Sequence, residues 1–168
     1  MPPATTALAD IVQDLNFIIA VDQDLTEEGG ETATFTVTLD TALNAGNSAT
    51  VNLDLDALST ATNVTDFNDL TAAIDAGLVG TNITRTGSTL TFTDASDTNF
   101  SFGIIAVNDD LNGVPAEFVT ATLSSPTITE GTANIPVPSA TTTTTDLGHG
   151  ATFTIAAAQD INEEAGET

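Results

Sequence analysis

Apolar residues recur at every second position in seven short segments of this chain, the signature of strands that bury one face. The segment 32–39, TATFTVTL, sets Ala33, Phe35, Val37 and Leu39 on one side and threonine on the other. LNFIIAV (15–21), ATVNLDL (49–55), STLTFT (88–93), FSFGIIAV (100–107), EFVTATLS (117–124) and ATFTIAA (151–157) alternate similarly. Clusters of Gly, Asn, Asp and Pro separate them, so the pattern predicts an all-β chain folded as an antiparallel two-sheet β-sandwich. One segment departs from period two. TDFNDLTAAIDAG (65–77) opens on a capping Thr or Asp, spaces Leu70, Ala73 and Ile74 helically and stops at Gly77, which predicts a short inserted helix near 66–76. The low-complexity stretch PVPSATTTTTDLGHG (136–150) reads as an extended loop.

The chain also repeats itself. Residues 17–32, FIIAVDQDLTEEGGET, match residues 153–168, FTIAAAQDINEEAGET, at ten of sixteen positions with an offset of 136. Such self-similarity predicts a tandem array. Residues 1–16 then belong to a preceding repeat or linker, 17–150 to one sandwich domain, and 151–168 to its closing strand and the start of the next copy. ATFTIAA (151–157) can close the first domain or open the second.

Charge narrows the chemistry. There are 24 acidic residues and one basic residue, Arg85, for a net charge of -23. A chain with one cation cannot replace counterions on phosphate, which excludes nucleic acid and anionic membrane surfaces as partners. No stretch approaches the roughly 20 apolar residues of a membrane span, and MPPATTALAD lacks a signal-peptide pattern, so any export signal is expected elsewhere. With 40% hydrophobic residues the chain can build a core despite its charge. Like charges nevertheless oppose compaction unless counter-charge arrives from outside. Carboxylates without Cys, and with the single His149, suit a hard cation such as Ca2+ rather than zinc or copper.

The carboxylates gather in turns: Asp22, Asp24, Glu27 and Glu28; Asp66 and Asp69; Asp109, Asp110 and Glu117; and, in the second copy, Asp160, Glu163 and Glu164. Loops at one pole of a sandwich converge, so these clusters are candidate calcium ligands supplied jointly. No cluster fits an EF-hand loop, and the Gly-rich nonapeptide of calcium-binding β-helices is absent. The plain alternative is that acidic turns are solvated and keep the chain soluble. Adjacent pairs such as Asp109-Asp110 favour a metal, because neighbouring carboxylates repel until neutralised.

The run STLTFTDASDTNFSFGIIAVNDDLNGVPAEFVTATLSSP (88–126) resembles the second half of a Calx-beta domain, an immunoglobulin-like sandwich. EEGGETATFTVTL, Thr65-Asp66-Phe67 and ATFTIAAAQD (151–160) resemble that family's opening, Asp-Phe and closing elements. The resemblance implies a calcium-binding sandwich with ligand positions at Glu27 or Glu28, Asp66, Asp109, Asp110, Glu117 and Asp160. The helix is an insertion, and the closing element carries one acid where the family often has two or three. A tandem, Thr-rich, Cys-free version is also similar to extender repeats of giant bacterial surface adhesins of the RTX type, exported by type I secretion. That similarity implies an extracellular, cell-surface location and neighbouring repeats of the same chain as partners. It also implies calcium stiffening the junctions, so that a distal adhesive region is projected from the cell.

The expected function is therefore a calcium-binding structural spacer, monomeric as a fragment. A ligand-binding module is the alternative, with Thr-rich strand faces meeting a glycan, a surface or ice. Against it, the arrays lie on separate strands of a twisting sheet and the chain has no Trp or Tyr. An enzyme is not expected: nucleophile–base chemistry lacks Cys and Lys, and His149 sits between glycines.

Overall fold

The structure is a computed structural model that describes residues 12–27, 29–108 and 115–146. Ten strands and one helix follow in chain order: β1 (Gln13–Val21), β2 (Leu25–Thr26), β3 (Thr32–Leu39), β4 (Ala49–Leu55), α1 (Leu70–Gly77), β5 (Thr84–Thr86), β6 (Thr89–Phe92), β7 (Asn99–Ile105), β8 (Glu117–Ile128), β9 (Gly131–Val137) and β10 (Ser139–Thr145). They form a four-stranded sheet ordered β7-β3-β1-β9 and a six-stranded sheet ordered β2-β10-β8-β4-β6-β5.

The expected sandwich is present. Alternation works as read: Ala33, Phe35, Val37 and Leu39 on β3 are buried, as are Ala49, Val51 and Leu53 on β4. The two inner faces meet through Phe17 of β1 and Phe92 of β6, whose rings pack edge to face at 5.7 Å. Phe35 and Phe102, opposite each other across β3 and β7, stack at 5.3 Å. Burying this many aromatic and aliphatic side chains is the main force holding the sheets together, at roughly 1.5–3 kcal/mol each.

Three expectations are corrected. The sheets are mixed, because β1 pairs with β9 in parallel and β10 pairs with β2 in parallel, while the other pairs are antiparallel. Residues 139–145, expected in a loop, form β10 and lie between β8 and β2. The helix begins at Leu70 rather than near 66, because Asp69 is its cap: the Asp69 side chain accepts from the Thr71 N–H. Residues 63–68 are instead knitted to the end of β7, by a bridge from Phe67 to Ala106 and by Asn68, whose side chain bonds both Gly103 and Ile105. The predicted strand 151–157 lies outside the described residues.

The first and last strands share one path. β1 and β9 lie side by side in the four-stranded sheet, and both continuations, β2 and β10, cross to the six-stranded sheet and pair again. Among the described residues the strands thus start at one end of the sandwich, at Gln13, and finish at the other, at Thr145.

Candidate functional site

The pole where β10 ends carries the described candidate ligands. β10, β8 and β2 end there in register, with Thr144 opposite Glu117 on one side and Leu25 on the other. The Glu27 N–H donates to the Thr145 carbonyl, which holds Glu27 beside Asp146 at the strand's end. Asp66 arrives from another loop: its N–H donates to the Thr62 carbonyl, and its own carbonyl accepts from the Val107 N–H. That bond sets Asp66 next to the chain leading towards 109–110. The same loop is tied to β8 by the N–H groups of Thr60 and Ala61, both donating to the Phe118 carbonyl. Glu27, Asp66, Glu117 and Asp146, remote in sequence, therefore share one pole. Glu27 and Asp66 are buried.

Several of these carboxylates already have local work. Asp22 Oδ1 accepts from the Thr34 N–H at 2.7 Å, and this bond holds the Asp22 carboxyl below its ordinary value. Asp24 Oδ1 accepts from the Thr143 N–H at 2.8 Å, and Asp66 Oδ2 from the Thr62 N–H. In that loop Val64 sits at φ 72°, a left-handed conformation that a β-branched residue rarely adopts. Asp69 is occupied by the α1 cap, and the next N–H, that of Leu70, donates to Asn63 Oδ1 at 2.8 Å. Glu31 accepts from the Thr26 hydroxyl, which lowers its carboxyl pKa. Thr144, 1% exposed, points inward with no hydrogen-bond partner for its hydroxyl among the described residues.

Glu28, Asp109, Asp110, Asp160, Glu163 and Glu164 lie outside the described residues. Among the described ones, no group of three or more Asp, Glu or His is close enough to hold a metal. A calcium site at this pole would need further ligands beyond the described carboxylates. Asp146 was not expected as a candidate. Its signal was an acid directly after a threonine run, legible only once that run is known to be a strand.

Two other features qualify as sites by shape. A groove of about 380 Å³ under α1 is lined by Leu53, Asp54, Leu70, Ile74 and Arg85. Its one cation is spoken for: Arg85 donates twice to Asp75 at 2.8 Å and once to the Gly87 carbonyl. The outer face of the six-stranded sheet is the second. Its hydroxyls include one row in register across four strands, Thr127, Thr50, Thr91 and Thr84. Many bond one another, as Thr50 does Thr127 at 2.6 Å and Thr120 does Thr141 at 2.8 Å.

No protein-family model and no curated protein matches the sequence. Among solved structures, a chain of the crystal structure of a complex between a CaDoc0917 variant and CaCohA2 at pH 5.5 is similar over 78% of this chain and 99% of its own, with TM-score 0.43 and 12% identity. A likeness at that level carries no argument about chemistry or partners.

Proposed function

We propose that this domain is a calcium-binding structural spacer in a tandem array on a secreted bacterial surface adhesin, holding a distal region away from the cell. The observation that carries the reading is positional. The described strands run from one pole of the sandwich to the other, and Glu27, Asp66, Glu117 and Asp146 lie at the pole where β10 ends. An ion taken there by these carboxylates with Asp109 and Asp110 neutralises one domain's tip beside its neighbour's acidic turn. The test is thermal unfolding of the chain in calcium, in magnesium and in chelator. Calcium raises the midpoint strongly and magnesium weakly, and Asp109→Asn with Asp110→Asn removes most of the calcium effect. A midpoint indifferent to calcium sinks the reading.

The aligned threonine row favours a second reading, a module that presents hydroxyls to a glycan, an ordered surface or ice. Retention of the chain on such a surface, lost on Thr50→Lys with Thr91→Lys, is the observation that supports it over the spacer.

A further inference from the structure

We propose that the first and last described strands, β1–β2 and β9–β10, form a tension-bearing clasp, making resistance to pulling along the chain a function of the fold. The clasp needs no ion. That such tension arises in the cell rests on the spacer reading, whereas the clasp itself rests only on topology.

β1 begins at one pole, and β9–β10 ends at the other. Tension applied where β1 begins and where β10 ends pulls β1 and β9 past each other along their common axis, because the two strands are parallel and loaded from opposite ends. Their register runs from Gln13 opposite Gly131 to Ile18 opposite Val137, so the ladder's bonds lie across the load and share it. An antiparallel terminal pair, or a parallel one pulled from the same end, would open one bond at a time.

The clasp continues past the first sheet. Where β1 and β9 both cross over, the Thr142 hydroxyl donates to the Gln23 carbonyl at 2.9 Å and the Thr143 N–H to Asp24 Oδ1 at 2.8 Å. Beyond the crossing, Thr144 and Thr145 pair with Leu25 and Thr26, and the Glu27 N–H holds the Thr145 carbonyl. At the opposite end the Gln13 N–H donates to the Glu130 carbonyl. The C-terminal strand pair, residues 131–145, spans roughly 50 Å at about 3.3 Å per residue, and bonds to the N-terminal pair run along it from pole to pole. Asp24 thereby has a second role: its carboxylate bridges the first and last segments at the crossing. Closeness is enforced at the start of the ladder, where Gly131 lies so near Gln13 that a Cβ would stand 1.8 Å from the Gln13 carbonyl oxygen.

The test is single-molecule unfolding of one variant in two geometries. The chain has no cysteine, so Glu130→Cys gives a unique handle on the exposed turn before β9. The same folded protein is pulled either from its two termini, which shears β1 against β9, or from the N-terminus and residue 130, which peels them from one end. Both are read in one calcium-containing buffer. The terminal geometry is expected to unfold at roughly twice the force of the peeling geometry or more, because several bonds must fail together rather than singly. Equal forces, or a weaker terminal geometry, overturn the proposal. Directional forces without a calcium effect on melting would leave the clasp and remove the ion. Isotropic forces with that effect intact would do the reverse.

Discussion

Replacing Gly131 by alanine tests how tightly the first and last strands are pressed together. Gly131 has φ +130°, a region essentially reserved for glycine, and the added Cβ would meet the Gln13 carbonyl oxygen at 1.8 Å and its nitrogen at 2.7 Å. Backbone atoms cannot rotate aside, so β9 must retreat from β1. The conformational strain alone is worth about 1–3 kcal/mol. Retreat also endangers four bonds around Gln13: its N–H to Glu130, its side-chain amide to the Ala42 carbonyl at 2.7 Å, and the Asn44 N–H and the Asn47 side-chain amide to its Oε1 at 2.9 and 3.3 Å. At a net 0.5–1.5 kcal/mol apiece, losing two of them brings the total to about 2–6 kcal/mol. For a domain of this size that lowers Tm by on the order of 10 °C or more. Gly80→Ala is the control, since Gly80 also has positive φ, +86°, but nothing lies within 4 Å of its Cβ position. It should lose only about 1–2 kcal/mol for the left-handed backbone. Circular dichroism melts and urea titrations of both variants read the difference. If Gly131→Ala is no less stable than Gly80→Ala, the close approach of β1 and β9 is wrong.

Gly77→Ala sets two effects against each other: alanine is the better helix former by about 1 kcal/mol, yet its Cβ would lie 2.1 Å from the Ser101 carbonyl oxygen of β7. Net destabilisation in urea is expected, and net stabilisation would mean that α1 does not rest on β7. Arg85→Met removes the two-pronged contact with Asp75 and is expected to cost about 1 kcal/mol, given how exposed Asp75 is. The loss should shrink in high salt, and a salt-independent loss would point to packing instead. Asp40 accepts from both nitrogens of Asn16, chiefly its backbone N–H, which lowers its carboxyl from the ordinary 3.8. A depressed folded pKa stabilises above the ordinary value and fades as pH falls through the folded one. Asp40→Asn should therefore be less stable than the parent at neutral pH, with the two melting curves converging in acid; a constant gap refutes the assignment.

The parts of the fold that could be read in the sequence are those where side chains contrast. β3 and β4 fall on the residues read for them because threonine and asparagine alternate with Phe, Val and Leu across a half-buried face. β10 escaped because its inward positions, Thr142 and Thr144, are chemically the same as its outward ones, so burial left no period in the sequence. β9 was hidden by Pro136 and by partial exposure along an edge, and β2 has only two residues. The parallel pairs could not be read at all, since strand direction depends on which element the chain meets more than a hundred residues later. The site divides similarly. That Asp66 and Glu117 share a pole followed from reading turns between strands. That Asp24 is held by Thr143 is set by a partner that local spacing does not reveal, whereas the Asp69 cap, made to the Thr71 N–H two residues on, is a local contact.

The pairing of β1 with β9 also governs when the domain can fold. Gln13 and Gly131 are 118 positions apart, so the first strand to be made has its neighbour on one side only until almost the whole domain has left the ribosome. Closing so long a loop before its contacts reward it is slow, which places this sandwich among the high-contact-order chains that fold in milliseconds to seconds. A chain still passing through a narrow channel cannot complete the sheet, and folding becomes an event of release.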